Sequence, residues 1–485
     1  MIRQNGLKFT MAAKLRSALL LTVLSASLLF SVTAGYLTSK GSKLYNSNGQ
    51  EVRLTGVNWF GFETTNFFPH GLWKRDYHGV LNQVKEMGFN CLRIPFCDDM
   101  LEPGATAKPG YYGEDPYYKR DSLSHMNREL NGLSPVEMMD EIIKYAGEIG
   151  IGIILDNHSR AHDGYMEEKL WYTAKISEEK WISNWVMLAK RYKDNPAVIA
   201  FDLNNEPHGK LSENGSTWGT GDEARDWNTA AEKCGNAILE VNPNVLIIVE
   251  GVQDYEGFNY WWGGNLKGVK DHPIKLSNPE KLVYSAHEYG PEVFQQDWFS
   301  EASFPDNMEA IWDEAFGFVV KDGIGPLFIG EFGIGNLNAY EGRAGTWFKT
   351  FLKYMSEYKF SFTFWSLNPN SGDTGGMLSD DWESPVTWKL DLVKPHLAPM
   401  LNAPTNTRKK ISNVIDKKMQ TSITNKCIAY NGQSSNVQIS VIGLNGKVVA
   451  KTTNHTLDIN NLANGVYTAV VSSNGNIVHS AKFTK

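Results

Sequence analysis

The 485-residue sequence reads as an α/β protein, a (β/α)8 TIM barrel followed by a small all-β, sandwich-like C-terminal domain. Three observations carry that reading. Eight short apolar runs recur between Val52 and Trp365, and longer amphipathic segments with apolar residues three and four apart lie between them. Beyond residue 418 the pattern changes to short β patterns punctuated by Asn-Gly pairs. A doubly wound open sheet would share the alternation, but no glycine-rich dinucleotide turn follows the first strand.

In chain order, residues 1–34 read as an export signal. Arg3, Lys8, Lys14 and Arg16 precede an apolar stretch from Ala18 to Val32, and Val32-Thr33-Ala34 is a small-residue cleavage pattern. The apolar core is shorter than the roughly 20 residues a spanning helix needs, so removal after Ala34 is expected rather than anchoring. Residues 35–400 form the barrel. Its strands are expected at Val52–Trp59, Cys91–Phe96, Ile151–Asp156, Val198–Leu203, Leu246–Glu250, Val283–His287, Leu327–Glu331 and Phe360–Trp365. They are nearly continuous in apolar residues, as strands covered on both faces must be. Helices are expected at Pro135–Ile149, Glu178–Tyr192, Asp222–Val241 and Ala344–Tyr358. Ser134 and Ser177 suit the N-cap of the first two, and Pro135 suits the first helical position, where an N–H has no partner anyway. The connection Leu101–Ser134 is long and carries Tyr111, Tyr112, Tyr117 and Tyr118; loops of that length in barrels are usually functional or mobile.

Residues 401–418, with Pro404 and the cationic run Arg408-Lys409-Lys410, read as a linker. Residues 419–485 follow as the β-rich domain. Strands are expected at Val437–Val441, Lys447–Lys451, Thr456–Ile459 and Tyr467–Ser472, with Asn445-Gly446, Asn464-Gly465 and Asn474-Gly475 as hairpin signals. This domain has too few apolar residues to host chemistry.

Composition removes several function classes. A net charge of −7 argues against nucleic acid as a partner, because phosphate binding wants clustered Lys and Arg. Cys91, Cys97, Cys234 and Cys427 lack paired metal-ligand spacing and are too sparse for a disulfide scaffold. The 15 tryptophans exceed what a core alone tends to use, and stacking on sugar rings is one natural employment for them.

In a parallel barrel the C-terminal strand ends converge on one face. Reading only those ends gives Arg93, His158, Asn205, Glu206, His287, Tyr289, Glu331 and Trp365. Singly, each has a bland explanation: an arginine in a salt bridge, a histidine satisfied in the core. Together they bring two acids, a cation, hydrogen-bonding groups and an aromatic floor to one rim. Glu206 and Glu331 each follow a buried strand where packing calls for no charge, and such a pair can divide a reaction between proton donor and nucleophile. Glycoside hydrolysis is the chemistry that most needs it. His158 and His162 are four apart but follow a strand and have no evident third ligand, so metal catalysis is not expected. Ser371–Gly376 contains no lysine, so it reads as a rim loop near Trp365 rather than a phosphate loop.

These residues sit in recognisable motifs: Gly56-Val57-Asn58-Trp59-Phe60-Gly61-Phe62-Glu63, Leu92-Arg93-Ile94-Pro95, Leu155-Asp156-Asn157-His158, Asn205-Glu206-Pro207, Ser285-Ala286-His287-Glu288-Tyr289, Gly330-Glu331-Phe332-Gly333 and Ser371-Gly372-Asp373-Thr374-Gly375-Gly376. The chain from about Gly35 to Pro399 thereby resembles glycoside hydrolase family 5, and in particular its bacterial endo-β-1,4-glucanases. The resemblance implies a retaining mechanism with Glu206 as acid/base and Glu331 as nucleophile, no metal or organic cofactor, and a non-proline cis peptide after Trp365. The physics agrees with those roles. Arg93 is placed to keep Glu331 ionised, with Tyr289 as a hydrogen-bond donor to it. Glu206 has to begin protonated, helped by the negative charge of Glu331 across the gap, and turns base once that charge is consumed. Asn205 suits the sugar 2-hydroxyl, His158 and His287 suit orienting donors, and Trp365 offers a flat face beneath the sugar. Trp59, Trp171, Trp261 and Trp262 are expected to line the cleft.

Residues from about Val437 to Lys485 resemble the C-terminal sorting domain of the type IX secretion system. The features are Val441-Ile442-Gly443-Leu444-Asn445-Gly446-Lys447, Leu462-Ala463-Asn464-Gly465-Val466-Tyr467 and the terminal Lys482-Phe483-Thr484-Lys485. This implies that machinery as a partner and release outside the cell or display at its surface; a small carbohydrate-binding module is the other reading of the tail. The expectation is therefore a secreted, monomeric enzyme cutting cellulose or related β-glucans. A mannanase, xylanase or broad β-glucanase would use the same machinery, and a non-catalytic polysaccharide-binding barrel is the reading from a different class.

Overall fold

Eight strands, each parallel to the next, close on themselves: β1 (Thr55–Asn58), β2 (Cys91–Cys97), β3 (Gly152–Ser159), β4 (Val198–Asp202), β5 (Leu246–Glu250), β6 (Leu282–His287), β7 (Leu327–Glu331) and β8 (Ser361–Phe364). β8 pairs with β1 through Phe362, Thr363 and Phe364 against Thr55, Gly56 and Val57, which completes the ring in sequence order. All eight are the strands expected from the sequence, with ends shifted by up to three residues. This computed structural model describes residues 35–107, 127–165, 167–401, 421–424, 426–430, 437–443, 447–473 and 476–485. The expected export signal, the tyrosine-bearing part of the long connection and the expected linker beyond Leu401 lie outside the described residues.

The helices begin where capping chemistry allows. α1 (Tyr77–Met87) starts on Asp76, whose carboxylate accepts the N–H of Gly79. α2 (Pro135–Ile149) opens with a capping box between Ser134 and Glu137, and α3 (Glu178–Arg191) opens on Ser177. α4 (Trp227–Val241) begins five residues later than the Asp222 start expected from periodicity. The cause is Asp226, whose carboxylate accepts from the hydroxyls of Thr217 and Thr220 and the N–H groups of Thr220 and Gly221, fixing a turn before the helix. α5 (Arg343–Glu357) buries Trp347, Phe348 and Phe351 against the barrel.

Two apolar layers result. One lies between strands and helices; the other fills the barrel interior with Ile154, Ile199, Leu246, Ile248, Val283 and Phe328. Leu44, from a three-stranded antiparallel sheet (Thr38–Lys40, Lys43–Tyr45, Glu51–Val52), and Leu37, just before its first strand, join the interior layer together with Leu54. With that end filled by apolar side chains, polar groups can gather only at the C-terminal strand ends.

By contact the chain divides into two compact units, Met1–Thr405 and Asn406–Lys485. The second holds a three-stranded sheet, β9 (Thr421–Ile423), β10 (Cys427–Tyr430) and β13 (Thr456–Asp458), in the order β9-β10-β13. Its other sheet has the order β12-β11-β14-β15, from β11 (Val437–Gly443), β12 (Val448–Thr452), β14 (Val466–Ser473) and β15 (Asn476–Thr484). Ile428, Tyr430 and Leu457 of the first sheet share one core with Ile439, Val441, Ala469 and Val471 of the second, which gives two layers. Asn464-Gly465 does not turn a hairpin: it leads from β13 in one sheet to β14 in the other, and Gly465 exchanges both backbone hydrogen bonds with Lys485. Among the described residues no helix is long and apolar enough to cross a membrane.

Candidate active site

Arg93 on β2, fully buried, is the centre of the strand-end cluster. Its Nη1 donates to Glu331 Oε1 at 2.8 Å and to Asn58 Oδ1 at 3.1 Å, and its Nε to Asp202 Oδ2 at 2.9 Å. Its Nη2 donates to Asn205 Oδ1 at 3.1 Å and Glu250 Oε1 at 3.2 Å and stands 3.1 Å from Asp156 Oδ1. Burial opposes the guanidinium charge, but Asp156, Asp202, Glu331 and Glu250 outweigh it and hold Arg93 well above its usual range. Burial, with Glu250 and Asp156 close by, pushes Asp202 well above the usual carboxylate range despite Arg93.

Glu331, at the end of β7, responds the other way. Burial alone would raise it, yet the charges of His287, Arg93 and His158 and the Tyr289 hydroxyl pull it below the ordinary value. Tyr289 donates to Oε2 at 2.7 Å, so each carboxylate oxygen has a donor. Glu206 has different surroundings. Its backbone sits in the left-handed region at φ 47, which costs a non-glycine residue on the order of 1 kcal/mol. That turn is held by its N–H on Glu250 Oε2 at 2.8 Å and its carbonyl accepting from His208 Nδ1 at 2.8 Å. Gly263 must be glycine here, since a Cβ would stand 2.2 Å from Glu250 Oε2 and 3.1 Å from the Glu206 Cα.

His287 joins the two acids. Nδ1 lies 2.8 Å from Glu206 Oε1 and 3.7 Å from Glu331 Oε2, while Nε2 is 3.2 Å from Glu250 Oε1, an ion-pair distance without hydrogen-bond alignment. Burial disfavours its charge, but Glu250, Glu331 and Glu206 push it well above the ordinary histidine value. Facing oxygens of Glu206 and Glu331 stand within 4.8 Å of each other. Oxygens that close are expected of the paired carboxyls of retaining glycosidases, roughly 5–5.5 Å apart, more than of the roughly 6.5–9.5 Å pairs of inverting ones.

His158 is also buried, with Nδ1 on Asp156 Oδ2 at 2.7 Å and its ring stacked on Trp365 at 5.5 Å and 5°. It hydrogen-bonds neither Glu206 nor Glu331 and braces the aromatic floor, acting on Glu331 only through its charge. Trp365 is partly exposed, stacks on Phe60 at 5.5 Å, and is followed by a non-proline cis peptide to Ser366. The rim loop Ser371–Gly376 does reach it: Thr374 Oγ1 donates to the Trp365 carbonyl at 2.8 Å.

Residues 45–371 match the family described as Cellulase (glycosyl hydrolase family 5). The chain belongs to glycosyl hydrolase family 5. An endoglucanase of Paenibacillus polymyxa is 45% identical over 377 residues, 76% of this chain and 88% of that one. The major extracellular endoglucanase of Xanthomonas campestris pv. campestris is 38% identical over 74% of this chain and 70% of its own. Among solved structures, a hyperthermophilic endocellulase from Pyrococcus horikoshii superimposes with a TM-score of 0.68 at 41% identity, covering 76% of this chain and 100% of that one. Residues 417–485 match the secretion system C-terminal sorting domain.

Within this family 5 barrel the expected tryptophans separate. Trp59 and Trp171 are buried in the core: Trp59 donates its indole N–H to the His70 carbonyl, and Trp171 donates to Glu178 and packs on Trp227. Neither offers a face to the cleft, because strand-to-helix packing needed large apolar volume at those positions. Trp262 is partly exposed and stacks on His208 at 3.8 Å, beside Glu206, and Trp261 lies against Tyr289. The sequence reading passed over Asn58, Asp156, Asp202 and Glu250, although Asp156 and Glu250 close their expected strands and the strand-end rule would have found them. It also left Glu63 unassigned. Burial pushes that carboxyl up to about 7 despite the nearby His158 and the N–H of Gly61.

Proposed function

We propose that this family 5 chain is an exported, retaining endo-β-1,4-glucanase in which Glu331 is the nucleophile and Glu206 the acid/base. The observation that carries the reading is the unequal pair: two carboxyls whose oxygens face each other within 4.8 Å, one clamped by Arg93 and Tyr289 and the other left to His287. Glu331, held ionised, attacks the anomeric carbon while Glu206 gives its proton to the leaving oxygen. The glycosyl-enzyme ester cancels the Glu331 charge, and Glu206 then takes a proton from the incoming water. Arg93 fixes the Asn205 amide by holding its oxygen, which leaves the amide nitrogen to donate to the sugar 2-hydroxyl. Trp365 supplies the floor for the sugar whose bond is cut, and Trp262 a platform on the leaving side of Glu206.

Endoglucanase relatives support β-1,4-glucan as the substrate, and the Pyrococcus horikoshii endocellulase has been crystallised with cellotetraose in variants that replace glutamate by alanine or tyrosine by phenylalanine. The tail match supports export through a type IX machinery, with the product released or held at the outer surface. Incubation with carboxymethylcellulose, followed by counting reducing ends, tests the activity. Turnover is expected in wild type, and its absence there contradicts the enzyme reading. A panel of lichenan, mannan and xylan fixes the preference, with the β-glucans expected to be cut fastest.

A further inference from the structure

Three donor atoms that serve hydrolysis also meet at the cleft floor in an arrangement that suits a metal ion. His287 Nδ1 is 2.8 Å from Glu206 Oε1 and 3.7 Å from Glu331 Oε2, and one ligand atom from each of the three residues lies within 4.8 Å of the other two. Three atoms within that limit always have a point no more than about 2.8 Å from each, against the ~2.0–2.2 Å of zinc bonds to imidazole nitrogen and carboxylate oxygen. Side-chain shifts of about half an ångström complete the fit. The outer groups are also those a bound ion needs. His287 Nε2 stands 3.2 Å from Glu250 Oε1 without hydrogen-bond alignment, and a rotation of the ring would give the carboxylate–histidine pairing that orients a metal-bound imidazole. Glu331 is held from behind by Arg93 on its other oxygen, and Oε2 keeps a lone pair beside the Tyr289 hydrogen bond. Glu206 is the most accessible of the three, with 19% of its side chain exposed, so the fourth position opens to the cleft.

We propose that Glu206, His287 and Glu331 form an inhibitory site for a divalent ion of the zinc class, occupied in competition with the polysaccharide. The ion takes the place of the proton shared between His287 Nδ1 and Glu206 Oε1, which leaves to solvent. Its four positions are His287, the two carboxylates and one water. It ties up both reacting carboxyls, so a loaded enzyme cannot turn over. No redox change or co-reactant is involved.

Isothermal titration of zinc chloride into the full chain tests the site directly and needs no turnover. One tight site is expected in wild type, weakened at least tenfold in Glu331→Gln and in His287→Asn, and unchanged in His78→Ala, which removes a surface histidine standing 3.6 Å from Asp76 and 3.5 Å from Glu129. Near-UV circular dichroism checks that the variants are folded, and Glu206→Gln, at the most exposed of the three positions, serves if a buried substitution unfolds the barrel. No tight site in wild type, undiminished binding in the cleft variants, or loss with His78→Ala overturns the proposal. The inhibition readout rests on the glucanase reading. Zinc is expected to raise KM for a soluble cello-oligosaccharide and leave kcat unchanged, and a fall in kcat at constant KM contradicts the site. Tight zinc binding in a chain that cuts no glucan would sink the proposed function and leave the metal site standing.

Discussion

The contrast between Glu206 and Glu331 is made by neighbours, and each neighbour can be removed singly. Tyr289 is the cleanest, because losing its hydroxyl deletes one hydrogen bond to the carboxylate and little volume. Glu331 lies below the ordinary carboxyl value in part through that bond, so Tyr289→Phe should raise it. As the proposed nucleophile, Glu331 works ionised and is lost as pH falls through its pKa. The acid limb of the kcat/KM profile should therefore move to higher pH, by about one unit for a hydrogen bond to a charged group. An unmoved acid limb contradicts the role given to Tyr289. At this scale the sequence was readable for Glu331, which closes a buried apolar run, and for Arg93, a lone charge inside one. It was less readable for Asp202 and Asn58, which close β4 and β1 but stand one residue inside the strands expected from the sequence, and look like isolated polar interruptions until the barrel closes around Arg93.

At the scale of elements, the strands and capped helices were legible because each rests on local chemistry: a buried apolar run, a serine at an N-cap, a proline at the first helical position. The start of α4 was not, because the side chain of Asp226 is committed to Thr217 and Thr220 rather than to the helix. Trp59 and Trp171 show the same limit, since composition reveals a surplus of tryptophan but not which ones the packing consumes. The rim loop Ser371–Gly376 illustrates how an element sets a site. Lys389, buried, donates to the carbonyls of Thr374 at 2.6 Å and Gly376 at 3.2 Å, and Thr374 in turn holds the Trp365 carbonyl. Burial brings this lysine down to about 8, yet either protonation state can donate both bonds. Lys389→Met leaves two buried carbonyls without their donor, worth about 1–3 kcal/mol, and loosens the floor beneath the sugar. A several-fold rise in KM for a soluble oligosaccharide, with a smaller change in kcat, is expected; an unchanged KM would show that the loop does not set the floor.

Across the whole molecule, the catalytic unit and the tail each carry their own apolar core, and the described barrel cores contain no residue of the tail. A chain ending at Thr405 should therefore cut carboxymethylcellulose at the same rate per mole as the full chain, while its export in the native host is lost. A large fall in purified activity would contradict the separation of roles. The cores also explain what the sequence could not give about the tail: β9 and β10 are too short for a periodic signal, and which sheet each strand joins depends on contacts distant in sequence. All of the chemistry converges on one claim, that Glu331 forms a covalent bond to the sugar. Replacing Glu331 by alanine removes the nucleophile and opens space beside Arg93 for a small anion. With an activated β-glucoside as substrate, added azide should restore turnover and yield the α-glycosyl azide, inverted at the anomeric carbon. Undiminished hydrolysis by Glu331→Ala without azide, or a β-glycosyl azide as the rescued product, would contradict the account.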